Sequence, residues 1–209
     1  IQAFRYASEP FFFKDGTNKS SKETLAKVMN YFTIVLVLIF LIITLYLHLF
    51  KYFINNPDYW EGLTVVPILL GANIFLGIYT SLSIWYKLSD KTKFGAYISS
   101  AGVIITLFIN FLFIPNYGYL ASAFATLACY GSMMILSYIL GQKHYTVPYN
   151  LWKFLLYISA GLLIYGISIP FNSAKELSWI QYGYHTLLIF SFIILIIVIE
   201  KPFKKRILD

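Results

Sequence analysis

Hydrophobic positions in this chain fall into long unbroken runs. No Asp, Glu, Lys or Arg occurs in residues 28–50, 62–86, 94–142, 154–174 or 177–199, runs of 23, 25, 49, 21 and 23 residues. About 20 apolar residues in a helix cross roughly 30 Å of hydrocarbon, so four of these runs predict one spanning helix each. The 49-residue run is too long for one helix. The stretch IPNYGY at 114–119 divides it: Pro115 is expected to stop a helix, and Asn116 and Gly118 supply turn chemistry. Six complete spans are therefore predicted, near 28–50, 63–86, 94–114, 119–141, 152–171 and 181–199. The predicted fold class is all-α integral membrane, a six-span helical bundle preceded by the end of another span.

Composition agrees with this pattern. The chain is 59% hydrophobic, 20% aromatic and 12% charged, where a soluble domain carries about 25% charged residues. If the spans alternate, one side collects Lys14, Lys19, Lys22, Lys27, Lys87, Lys91, Lys93, Lys143, Lys153, Lys201, Lys204, Lys205 and Arg206. The other side holds Lys51 and Lys175, beside Asp58, Glu61 and Glu176. Positive loops stay in the cytoplasm, so both ends are expected there. The net charge of +7 is then a matter of topology. It does not point to nucleic acid, because the basic residues are scattered over separate loops.

These boundaries divide the chain as follows. Residues 1–13 end a truncated transmembrane helix, 14–27 form a cytoplasmic loop and 28–141 hold four helices. Residues 142–151 form a second cytoplasmic loop, 152–200 two accessory helices and 201–209 a basic tail. Ile1 is not an initiator methionine, and no secretory signal precedes the first span. The expectation is the C-terminal part of a longer protein. Tyr59 with Trp60, Trp85 with Tyr86, Tyr149 with Trp152 and Trp179 with Tyr182 flank the spans, as interfacial belts do.

The stretch FRYASEPFFFK, residues 4–14, carries charge ahead of three phenylalanines. If Lys14 marks the cytoplasmic interface, Arg5 lies about 13 Å deeper on a continuous helix. Half the hydrocarbon is about 15 Å, which puts Arg5 near the midplane. Pro10 disfavours helix at Glu9, yet a break there still leaves Arg5 buried by a turn or more. A charge at that depth usually faces a bundle interior or a water-filled cavity. Three readings stay open: a structural pair of Arg5 with Glu9, Arg5 meeting an anionic substrate with Glu9 as counter-charge or protonatable switch, or a charge left at that depth only by truncation of the helix.

Small and polar residues recur at helical spacing in three spans. They are Asn73, Gly77, Thr80 and Ser81 in the second, then Gly95, Ser99, Gly102, Thr106 and Asn110 in the third. The fourth carries Gly118, Ser122, Ala125, Thr126 and Cys129. Such stripes let membrane helices approach closely, or they line a hydrated path enclosed by the second to fourth spans. On the second reading the first and sixth spans, apolar all round, face lipid. Pro67 and Gly71 are positioned to bend the second span. His48, His144 and His185 lie too far apart for metal-ligand spacing, and the lone Cys129 sits inside a span. No Gly-rich phosphate loop and no Ser/His/Asp set can be assembled, so no enzymatic activity and no cofactor are expected.

The runs VVPILLGANIFLGIYTSLSIWYKLSDKTKFGAYIS (65–99) and INFLFIPNYGYLASAFATLACYGSMMILSYILGQKHY (109–145) resemble the C-terminal half of bacterial polysaccharide flippases. These belong to the multidrug/oligosaccharidyl-lipid/polysaccharide exporter superfamily, and the O-antigen type found in Bacteroidetes-like bacteria is the nearest. The pattern NxxxIPxYGxxxxAxAT, from Asn110 to Thr126, is its most specific part. FRYASEPFFFK resembles the end of the family's eighth helix. The resemblance covers residues 2–155, and the last two spans only by hydropathy.

The resemblance implies the C-terminal lobe of a two-lobe fold, from the end of helix eight to helix fourteen. It implies a partner N-terminal lobe in the same protein, without which the fragment should not transport. It further implies movement of an undecaprenyl-diphosphate-linked oligosaccharide across the bacterial inner membrane by alternating access, coupled to H+ or Na+. Arg5, Glu9, Asn73, Ser81, Ser99, Thr106 and Asn110 are the substrate-cavity candidates. Membrane lipids are the other expected partners, and nucleic acid is not one. A drug/cation antiporter of the same superfamily is the alternative, although cation efflux more naturally calls for acidic residues in this lobe. A peptidoglycan-precursor flippase, a polysaccharide polymerase or ligase and a purely structural subunit are further readings. The short outer loops weigh against the polymerase.

Overall fold

The computed structural model describes residues 1–6, 12, 19–54, 56–170 and 179–205, with backbone alone at 19, 20, 57, 58 and 201–205. Among the described residues every regular element is a helix. Helix α1 covers residues 2–6. Then come α2 (Lys19–Leu45), α3 (Leu47–Lys51), a 3-10 helix (Pro57–Val65), α4 (Val66–Leu82) and α5 (Ile84–Leu88). The chain continues with α6 (Lys93–Tyr117), α7 (Tyr119–His144), α8 (Leu151–Ser168) and α9 (Trp179–Lys205). Six helical stretches are long and apolar enough to cross a membrane: Ser21–Leu45, Tyr59–Leu88, Lys93–Tyr117, Tyr119–His144, Leu151–Ser168 and Trp179–Glu200. This is a multi-pass helical membrane protein. Helix is the form such segments take, because lipid offers the backbone no hydrogen-bond partners.

The ends of the spans depart from the charge-based boundaries for physical reasons. Helix α2 starts at Lys19, inside the stretch 14–27 assigned to a loop. Lysine and glutamate are good helix formers, so charge marks where lipid ends and not where a helix does. Pro115 does not stop α6; it sits inside the last turn, and the helix runs on to Tyr117. The break comes at Gly118, with φ 55 and ψ −135, a conformation open to glycine. Pro67 lies in the first turn of α4, where its missing N–H is one of the unpaired donors anyway. The second span is instead interrupted at Ser83, whose hydroxyl donates to Thr80 O at 2.7 Å.

By contact the chain forms two compact units, Ile1–Thr33 with Thr64–Leu151, and Ile34–Leu63 with Trp152–Asp209. Residues 34–63 thus group with the last two spans and not with the rest of 28–141.

In the first unit α7 is the central helix and packs against both α4 and α6. Its core joins Tyr79, Trp85, Tyr86, Ile98, Cys129 and Met133. Two glycines permit this approach. A Cβ on Gly102 would lie 2.8 Å from Met133 Sδ, and one on Gly141 would lie 2.9 Å from Trp85 Cδ1. Trp85, expected in an interfacial belt, is a core residue at 2% exposure. Its indole stacks on His144 with centroids 5.6 Å apart, and its Nε1–H donates to Ser137 Oγ at 3.4 Å. A second cluster, Phe12, Leu25, Ala26, Ile84 and Val147, ties the start of α2 to α5 and the α7–α8 connector. Gln142 Nε2 donates to Val147 O at 2.8 Å and holds that connector in place.

In the second unit the later part of α2 packs on α8. A Cβ on Gly161 would collide with Val37 Cγ1, and the rings of Phe40 and Tyr165 meet edge to face at 5.6 Å. The Tyr46 and Thr186 hydroxyls are 2.7 Å apart. Helix α2, read as lipid-facing, is the most buried of the spans. Half of its apolar window (50%) is buried, against 11% in α6 and in α9. Lipid tails are as apolar as leucine, so hydropathy alone cannot separate a lipid-facing helix from a protein-facing one.

Candidate functional site

The stripes on α4 and α6 are largely helix-packing and backbone-bonded positions. Ser81 is buried and donates to Gly77 O at 3.3 Å. Thr106 Oγ1 donates to Gly102 O at 3.0 Å, so its hydroxyl is satisfied one turn back on its own helix. Asn73 is exposed, and its amide donates to Leu69 O at 2.8 Å. Ser99 is exposed as well. Asn110 is half-buried, and its Oδ1 is shielded without a hydrogen-bond partner among the described residues. Because α7 lies against both α4 and α6, Asn73 and Ser81 on α4 are not gathered with Ser99, Thr106 and Asn110 on α6. They sit on the two helices that pack on either side of the contact with α7.

Arg5 lies half-buried on α1, its guanidinium carbon 5.3 Å from the Tyr6 ring centroid. The neighbouring Phe4 ring stacks on Phe32 at 3.7 Å and 10°. That contact fastens α1, and with it Arg5, to the side of α2. Glu9, Pro10 and Lys14 lie outside the described residues, and with them the proposed Arg5–Glu9 pairing.

The most developed polar centre was not among the sequence candidates. Near the end of α9, Glu200 Oε1 accepts from Lys153 Nζ at 2.7 Å and from the Tyr157 hydroxyl at 2.5 Å. Lys153 and Tyr157 are one turn apart on α8, so both point to one place. The Lys153 and Glu200 side chains keep 11% and 17% of their surface, and Tyr157 keeps none. Lys153 immediately precedes one charge-free run and Glu200 immediately follows another. Opposite charges at neighbouring run ends on one predicted side were the signal that could have paired them.

No protein-family model, curated protein or solved structure matches this chain. The chemistry must therefore be read from its own residues.

His144 is packed between Trp85 and Phe94, and its Nδ1 lies 2.9 Å from Leu140 O. His185 is fully buried against Tyr46 and Tyr184. Cys129 is buried with its thiol 3.8 Å from Met133 Sδ. Among the described residues no three of His, Cys, Asp and Glu could hold one metal ion. What the arrangement offers is a set of tightly docked helices with polar atoms inside apolar spans.

Proposed function

We propose that this chain is the C-terminal lobe of a two-lobe flippase that moves a lipid-linked oligosaccharide, joined through a diphosphate, across a bacterial inner membrane. Both chain ends would be cytoplasmic. One observation supports the reading above the rest: the two stretches that resemble polysaccharide flippases, 65–99 and 109–145, fold with each other into the α4–α7 part of a single unit. A shared transport lobe requires such a unit, whereas two stretches alike by hydropathy alone need not pack together.

In this reading an N-terminal lobe completes the cavity, and alternating access uses an H+ or Na+ gradient. Arg5, carried on α1 beside α2, supplies positive charge to the diphosphate, with Glu9 as its counter-charge. Asn73 and Ser99 are exposed, where they can meet a sugar, and Asn110 keeps a shielded amide oxygen on α6.

The test is the gene deleted in its native strain and restored with wild type or Arg5→Ala. Lipid-linked repeat units reachable by a membrane-impermeant glycan label are then measured from the periplasmic side. Loss of labelling on deletion, with poor rescue by Arg5→Ala, is the expected result. Undiminished labelling on deletion overturns the reading.

A further inference from the structure

Of the three histidines, one is buried without a hydrogen bond. His144 has Leu140 O 2.9 Å from its Nδ1, and His48 is half-buried on α3. His185, less than two turns into α9, keeps none of its surface. Neither of its ring nitrogens has a hydrogen-bond partner among the described residues. An imidazole always carries at least one N–H, and burying it unpaired costs free energy. A group in that position inside a native fold calls for an explanation.

The surroundings hold the ring by packing. Tyr46 meets it edge to face at 6.1 Å and 86°, and the Tyr184 ring lies at 6.1 Å. The Tyr46 hydroxyl is engaged elsewhere. Thr186 Oγ1 donates to Tyr182 O at 2.8 Å, so Tyr46 donates to Thr186 at 2.7 Å. These contacts join the end of α2 to the start of α9. The titratable groups on the elements around this joint are Tyr46 and His48 beside α2, Tyr182 and Tyr184 on α9 and Tyr165 on α8. No carboxylate is among them. Glu200, the one described acid of α9, lies about 22 Å further along the axis, and Glu61 on the 3-10 helix is exposed. Lys51, at the end of α3, sits on the Trp60 ring at 3.8 Å. The charge that acts on His185 is that of His48, and the one acceptor that favours a proton there is the Leu45 carbonyl at the end of α2.

We propose that His185 makes the joint between α2 and α9 acid-sensitive: neutral, it packs between Tyr46 and Tyr184; protonated, it drives the start of α9 away from Tyr46. An imidazolium presents two N–H groups and needs two acceptors, and Leu45 supplies one. The other N–H would stay unpaired, and the new charge would face His48 with no carboxylate to balance it. Undocked, both imidazoles take protons freely below about pH 6.5. The docked form therefore binds fewer protons, and its stability falls as the pH drops through that range. The inference stands apart from the flippase reading, because a joint between two helices does not depend on what the protein moves.

The experiment is thermal melting of the full chain in one neutral detergent between about pH 8 and 5, with hydrogen exchange of residues 179–190 followed at the acid end. Wild type should lose tenfold or more in its folding constant over that range, a fall of about 3–5 °C in Tm. His185→Phe keeps a ring in the same place but takes no proton, and should lose most of that fall. His185→Gln is a second neutral variant, so the comparison survives if the larger ring does not fit. His48→Gln should reduce the fall without abolishing it, and His144→Gln should leave it unchanged. At the acid pH, residues 179–190 should exchange faster in wild type than in the neutral variants. An equal fall in wild type and both His185 variants overturns the proposal, as does a wild type with no fall. A fall that His144→Gln abolishes, or one without faster exchange at 179–190, also overturns it, because the acid-sensitive group would then lie elsewhere.

Discussion

Lys153 and Glu200 are 47 residues apart in sequence, yet the ammonium lies 2.7 Å from a carboxylate oxygen that also takes the Tyr157 hydroxyl. Removing one partner of a shielded pair leaves the other charge uncompensated, at a cost of roughly 3–5 kcal/mol for full burial. With 11% and 17% of their side chains still exposed, the cost falls at or somewhat below the bottom of that range. Glu200→Gln and Lys153→Met are each expected to destabilise by about 2–3 kcal/mol. The double variant should recover most of the loss, because neither charge is then stranded. Thermal melting of the three proteins in one detergent is the check. Equal losses that simply add would mean the pair is not coupled.

The glycines of α6 and α7 make a sharper comparison. A Cβ on Gly102 meets the flexible end of Met133 at 2.8 Å, whereas one on Gly141 meets the Trp85 ring at 2.9 Å. Met133 can move its sulfur. Trp85 cannot, wedged between His144 and Phe94. Gly141→Ala should therefore cost more than Gly102→Ala, about 1–3 kcal/mol for forced overpacking against well under that. Chemical denaturation read by tryptophan fluorescence would rank them, and the reverse order would mean that α7 shifts more easily than Met133.

The α6–α7 hairpin isolates the contribution of backbone conformation. Gly118 has φ 55, and an L residue there is strained by about 1–3 kcal/mol. Pro115 only occupies the last turn of a helix that runs past it. Gly118→Ala should destabilise clearly, and Pro115→Ala should be nearly neutral. Comparing the melting temperatures of both variants with wild type decides between the two residues as the source of the turn.

Much of this architecture is legible in the sequence, because crossing a membrane leaves a mark that needs no partner: uninterrupted apolar length. Four of the six spans follow from that alone, and the turn residues at 114–119 divide the longest run into the other two. What stayed hidden depends on neighbours. Trp85 reads as a belt residue until Ser137 and Gly141, each four residues from the next along α7 after Met133, are seen to make room for it. The run at 34–43 reads as lipid-facing because valine against Gly161 and valine against an acyl chain look alike. Among the candidate site residues, the stripes were visible but their division by α7 was not. Spacing along one helix says nothing about which helix lies opposite.

Asp90 ends α5 in the left-handed region at φ 54, the one described non-glycine residue with positive φ. The turn closes α5 in a familiar way: Lys91 N–H donates back to Tyr86 O at 2.8 Å, and Asp90 N–H lies 3.4 Å from Lys87 O. Glycine suits that position best, and a residue with a Cβ carries a penalty of roughly 1 kcal/mol. Asp90→Gly should accordingly stabilise the folded protein by up to about 1 kcal/mol. Asp90→Ala keeps the Cβ and loses the short polar side chain that eases this conformation, so it should destabilise. Melting temperatures of the two variants beside wild type test both expectations. A variant that melts lower than wild type would show that the aspartate side chain contributes more to the turn than its backbone strain costs.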